Sequence, residues 1–240
     1  MTASLRHSPG ARVGASIAVA TGLYGMSFGA LAVASGLDVW QTCVLSLLLF
    51  SGGSQFAFIG VIAGGGSGIA AASAAALLGI RNTVYGMQLN ALLHPTGWRR
   101  FASAHVTIDE SLATSTGQTD PVEQKRGFWV AGLGIFVLWN LFTLVGALAG
   151  DALGDPKQWG LDGAAVAAFL ALLWPRLRSR EAGAIAVACA LVTVVAVPFV
   201  PAGVPILVAA VVAAAIGWFG SGPRGEGLEP DVEPKREATS

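Results

Sequence analysis

Arg81 stands near the centre of an apolar run from Ser67 to Leu93. A run of that length can cross a bilayer as a helix, since about 20 predominantly apolar residues suffice. An arginine in the middle of such a helix costs roughly 2.5–3.5 kcal/mol on insertion scales. The chain must therefore turn Arg81 toward protein, water or a polar ligand. Asn82 follows it directly, and Arg81, Tyr85 and Gln88 recur at the spacing of one helix face, with Asn90 close by. Two readings meet here. Intramembrane ionisable residues commonly mark transport or ligand sites, and this reading is the favoured one. The other makes Arg81 a packing residue bonded to backbone carbonyls of a broken neighbouring helix.

Composition agrees with a membrane protein. Hydrophobic residues make up 54% of the chain and charged residues 12%, the latter about half the share of a soluble domain. The formal net charge is zero, so nothing points to nucleic acid or to electrostatic binding of acidic lipid. Cys43 and Cys189 both lie in apolar runs and lack CxxC or Cys/His spacing. They indicate neither a metal site nor a disulfide framework, and no cofactor is expected.

The apolar runs predict an all-α, polytopic membrane protein of about seven transmembrane helices, near 13–34, 40–63, 67–93, 128–150, 163–175, 182–200 and 203–219. At least one segment should be broken or re-entrant. Residues 1–12 form an amino-terminal segment, 13–219 a single transmembrane transporter domain, and 220–240 a Pro/Gly-rich charged tail expected to be disordered. The first run is too long for a signal-peptide core and no convincing cleavage site ends it, so it reads as a retained helix. Arg99, Arg100, Lys125 and Arg126 lie between the third and fourth runs, and Arg176, Arg178 and Arg180 between the fifth and sixth. Asp151, Asp155 and Asp162 occupy the intervening stretch. The positive-inside rule places the two basic loops and the tail in the cytoplasm of a multi-pass plasma-membrane protein. The side of the amino terminus stays open. Arg6 and Arg12 draw it inward, whereas seven full crossings put it outside. An interrupted segment would reconcile the two, with 67–93 and its polar centre the first choice.

An internal echo links two runs: YGMSFGAL from Tyr24 and YGMQLNAL from Tyr85. Transporters commonly contain repeats whose interface forms the substrate site; two glycine-interrupted helices can also share such a motif by chance. In the second run, Ser51-Gly52-Gly53-Ser54-Gln55-Phe56 should weaken a helix at mid-membrane and free backbone groups able to hold a carboxylate. Close helix crossing through small residues is the alternative. The pair Asp109-Glu110 has His105 four residues earlier, which on one helix would make His105 and Asp109 neighbours able to couple proton movement. Solvated loop charge is the plainer reading. Trp139-Asn140 reads as an interhelical hydrogen bond.

The SGGSQF break, the IRNTVYGMQL segment, the downstream TIDESLA stretch and YGMSFGALA in the first run together resemble the AzlC family, over roughly 13–219. The resemblance implies the large subunit of a bacterial branched-chain amino acid exporter, working with a small multi-span AzlD-type subunit. The chain has Ser51-Gly52 where the family more often has Ala-Gly, which leaves the break intact. The implied substrate-binding residues are Gly53, Ser54, Gln55, Arg81, Asn82 and Tyr85, with Asp109 and Glu110 coupling or gating. Arg81 would pair the substrate carboxylate and apolar walls accept its side chain.

Other classes fare less well. Serine chemistry at Ser54 needs a nearby base, and His7, His94 and His105 all fall outside the expected spans, so the chain is not read as an enzyme. A channel would show rings of one charge sign or a repeated filter sequence. An ATP-driven permease subunit would need a separate ATPase, since no GxxxxGK[ST] occurs here.

Overall fold

The computed structural model describes residues 8–153, 170, 173–174, 177, 179–200 and 204–220. Among these the chain forms nine helices and no strand, which bears out the all-α expectation. They are α1 (Pro9–Ala34), α2 (Val39–Leu48), α3 (Gly52–Ala63), α4 (Gly68–Leu93), α5 (Trp98–His105), α6 (Asp109–Thr116), α7 (Pro121–Ala152), α8 (Arg180–Ala196) and α9 (Val204–Gly220). Among the described residues, α1 and α7 are long and apolar enough to cross a membrane. The expected run 163–175 and the tail after 220 lie outside the described residues, apart from isolated positions in the former.

Helix boundaries follow local chemistry. Pro9 opens α1 after Ser8, whose hydroxyl accepts from the Ala11 amide, so the helix begins earlier than the apolar run at 13. Asp120 caps α7 ahead of Pro121, and Ser67 caps α4. His94 ends α4 in the left-handed conformation, with φ 47°.

The frame of the molecule is the α1–α7 pair. The Ser8 hydroxyl donates to the Glu123 carboxylate, which also accepts from the Gly10 amide at 3.0 Å. Farther along, a Cβ at Gly25 would stand 2.7 Å from the Trp139 carbonyl oxygen, and one at Gly29 would stand 2.7 Å from the Ala147 nitrogen. Backbone thus lies on backbone, an approach that only small residues allow. Rising numbers on α1 meet rising numbers on α7, so the two helices are parallel. Four simple crossings at 13–34, 40–63, 67–93 and 128–150 would make the first and fourth antiparallel. The difference comes from an additional helical segment, α5–α6, between α4 and α7. Run 40–63 is split at residues 49–51, as SGGSQF leads one to expect. Run 67–93, the first choice for an interruption, is instead one continuous helix, and the second interruption falls at residues 106–108.

The echo of Tyr24-Gly25-Met26 in Tyr85-Gly86-Met87 extends to the architecture. α1 and α4 are each 26 residues long. Each is followed by a connection (35–38, 94–97), a short helix, a non-helical interruption (49–51, 106–108) and a second short helix. α7 follows the second unit. Beyond it, α8 and α9 pack on each other, and Leu207 of α9 closes a small apolar cluster with Val61, Ala71 and Ala74.

Gly29→Leu should therefore lower stability by roughly 1–3 kcal/mol, the usual cost of overpacking. Gly68→Ala, where an added Cβ meets nothing within 4 Å, serves as the control. Thermal unfolding in detergent measures both; equal midpoints would contradict the glycine-mediated contact.

Candidate functional site

The first interruption leaves carbonyl groups at the end of α2 that helical bonding no longer uses. Gln55, fully buried on α3, satisfies two of them. Its Nε2 donates to the Leu49 carbonyl at 2.8 Å and to the Ser46 carbonyl at 3.3 Å. Its Oε1 accepts from Trp139 Nε1 at 3.0 Å. Trp139 is held in turn by rings around it, with Phe28 stacked at 5.9 Å and Tyr24 edge-on at 6.1 Å. Of the Trp139-Asn140 pair, only Trp139 thus bonds across helices here: Asn140 Nδ2 donates to Phe136 of its own helix at 2.7 Å.

The two interruptions meet. His105 Nε2 lies 3.0 Å from the Leu47 carbonyl oxygen. The rings of Phe50 and His105 are 6.0 Å apart, and both pack on Phe136. His105 closes α5 whereas Asp109 opens α6, so the expected single-helix neighbourhood of His105 and Asp109 does not form. The turn between them is tied by Ser111, whose hydroxyl accepts from the Ile108 amide at 3.0 Å and donates to the Val106 carbonyl at 2.8 Å.

Arg81 lies where these segments converge. Its guanidinium forms an ion pair with Asp109, Nη1 to Oδ2 at 2.9 Å, with the side chains 24% and 34% exposed. On its other side it rests on the first turn of α3: a Cβ at Gly53 would be 2.7 Å from Arg81 Nη2. Ser51 places no side-chain cap on α3, so the amide groups of that turn keep their donor capacity toward the guanidinium side of the site. Ser54 is fully buried, and its hydroxyl has no hydrogen-bond partner among the described residues; the same holds for Arg81 Nε and Asn82 Oδ1.

The structure thus brings Gly53, Ser54, Arg81 and Asp109 to one locus. Gln55 sits beside it with its amide bonded into the break, and Asn82 faces a groove between α4 and α5. Tyr85 and Glu110 are half-buried on α4 and α6, while Gln88 is exposed. Sequence reasoning missed the 106–108 turn. A signal was present: the β-branched Val106-Thr107-Ile108 precedes an acidic pair of the kind that opens helices.

Each helix amino terminus carries about half a positive charge, and α3 and α6 both begin here beside a guanidinium. Asp109 and Glu110, both in the first turn of α6, set two carboxylates against them. The α3 start without a side-chain cap thus lies next to an arginine that is already paired with a carboxylate.

These features define an all-helical protein with an arginine–carboxylate pair set among interrupted helices, and comparison with known proteins gives it a family. The AzlC protein family model matches residues 16–153, which include both interruptions and every residue of the locus. The chain belongs to the AzlC family, which is associated with membrane transport. A protein of Helicobacter pylori strain 26695 described as "Uncharacterized membrane protein" is 28% identical over 152 residues, covering 62% of this chain and 66% of the relative. A protein of the same description from strain J99 is 26% identical over the same extent. The match therefore spans just under two thirds of the relatives' length. No solved structure matches.

Trp139→Phe keeps the ring contacts but leaves Gln55 Oε1 without its donor, a loss of roughly 1–3 kcal/mol for a buried acceptor. Gln55→Leu leaves the Ser46 carbonyl and Trp139 Nε1 unpaired at once, while the Leu49 carbonyl keeps the Ser51 amide, and should cost more. Thermal unfolding of the two variants gives the order; the reverse order would show that Gln55 does not hold the break.

Proposed function

We propose that this chain is the large subunit of a polytopic secondary transporter that exports branched-chain or similar small apolar amino acids. The observation that carries the reading is the Arg81 guanidinium set between an uncapped helix start at Gly52–Gly53 and the exchangeable carboxylate of Asp109. A substrate carboxylate replaces Asp109 on Arg81 and takes further hydrogen bonds from the α3 amides and the Ser54 hydroxyl. Replacing one carboxylate by another avoids leaving the arginine unpaired, a state that is costly in an apolar body. Asp109 recaptures Arg81 when substrate leaves, with Glu110 beside it, so loading and release alternate at one cation. Substrate class, outward direction and a small AzlD-type partner subunit rest on the family resemblance.

Arg81→Lys keeps the charge and loses the planar fork; efflux of isoleucine from preloaded cells should fall at least tenfold. Arg81→Ala should abolish efflux while membrane expression persists. Normal export by a well-expressed alanine variant would remove Arg81 from the site. Asp109→Asn eliminates the internal competitor, so the half-saturating substrate concentration should drop together with the maximal rate. A rise in the half-saturating concentration would show that Asp109 assists binding instead.

The parallel α1 and α7 place Arg12 at the same end as Lys125 and Arg126. We infer a cytoplasmic amino terminus on the positive-inside rule. With Arg99 and Arg100 also inside, α2–α3 and α5–α6 each turn back within the membrane. In a Cys43→Ala, Cys189→Ala background, Thr96→Cys should be shielded from impermeant thiol reagent in intact cells, and Asp151→Cys should label. Labelling at Thr96 would make α5–α6 a full crossing.

A further inference from the structure

The apolar helix α4 ends at Leu93, and the next helix opens with Trp98-Arg99-Arg100-Phe101. At about 100° per residue, Trp98 and Phe101 share one side of α5 and the two arginines flank it. The opposite side carries Ser103, which is buried. Trp98 and Phe101 are 74% and 80% exposed, so both rings face away from the protein body. Arg99 and Arg100 are exposed too, and among the described residues neither has an acidic partner. The sequence supplies none nearby: no Asp or Glu occurs between Asp38 and Asp109, and Asp109 is paired with Arg81. The whole chain is neutral, whereas this surface is locally positive.

A groove of about 490 Å³ adjoins it between α4 and α5, within the size range of small-molecule sites. Arg100 lines the groove together with the apolar Met87, Leu89 and Leu93 of α4, and no acidic residue is among its described lining residues. Exposed rings on one side of a helix, with cationic side chains flanking them, are the parts of a helix that lies in a membrane interface. Basic pockets between helices on the cytoplasmic side hold anionic headgroups.

We propose that α5 lies in the cytoplasmic interface and, with the groove, binds an anionic phospholipid. Its phosphate pairs with Arg99 and Arg100, and one acyl chain runs along Met87, Leu89 and Leu93. The inference rests on the reading of the chain as a membrane protein with its basic loops inside. A guanidinium meets a phosphate through parallel N–H donors. A zwitterionic headgroup adds an ammonium that finds no carboxylate on this surface.

The test uses the purified full chain in detergent, titrated with phosphatidylglycerol, phosphatidylcholine or inorganic phosphate, with the unfolding midpoint as readout. Phosphatidylglycerol should raise the midpoint, while phosphatidylcholine and inorganic phosphate leave it near the lipid-free value. In Arg99→Gln/Arg100→Gln the half-saturating phosphatidylglycerol concentration should rise roughly tenfold or more, in line with two basic residues at an anionic leaflet. The lipid-free midpoint of that variant should stay near wild type, since both side chains are exposed. Lys125→Gln, an exposed cation on α7, should leave the titration unchanged. Ala104→Phe, which fills the groove from α5, should weaken the response with both arginines present. Equal shifts with the two lipids would overturn the proposal. So would a phosphatidylglycerol response that the arginine pair or Ala104→Phe does not alter, or one that inorganic phosphate reproduces. Cell fractionation keeps the underlying reading separate: recovery of the chain as soluble protein removes the membrane reading, whereas a membrane-bound chain without lipid preference removes only the lipid site.

Discussion

A helix interrupted inside an apolar body exposes carbonyl groups that water cannot reach, and each must find a donor. Gln55 supplies both of its amide hydrogens to the end of α2, and Trp139 holds Gln55 in place. Much of the rest depends on this clasp. It allows α3 to start afresh at Gly52, which puts an uncapped helix start in mid-protein. It leaves Gly53 bare so that the Arg81 guanidinium can lie against the backbone. It also brings Leu47 and Phe50 to the second interruption, where His105 bonds the Leu47 carbonyl.

The arginine is accommodated by several modest effects. A half-exposed ion pair contributes about 0–1 kcal/mol, less than the roughly 2.5–3.5 kcal/mol that a central arginine costs on insertion. The pair with Asp109 thus offsets only part of the cost. Partial exposure of the guanidinium carries some of the remainder.

Glycine serves two opposite purposes in the two related helices. Gly25 and Gly29 are filled by the α7 backbone, and the α1–α7 pair sets the parallel frame on which the interrupted segments hang. Gly86, in the matching triplet on α4, is filled by nothing. The matched Tyr-Gly-Met signature marks a common helix design, while the neighbours decide whether the space becomes a contact or a groove.

The sequence by itself determined the helical class, the start of one helix at Ser67, the interruption at Ser51-Gly52-Gly53, and the polar stripe beginning at Arg81. All of these follow from local properties: capping chemistry, glycine's backbone freedom, and the period of polar and apolar residues along one helix. Tertiary structure alone decided that Asp109 is the partner of Arg81, that Gln55 is bonded to the break, that α1 and α7 run parallel, and that continuity belongs to α4. Each depends on which faces of separate helices come together. Periodicity shows that a helix has a polar face; it carries no information on what that face meets. Arg81 announced that it needed a partner, and only packing could supply one.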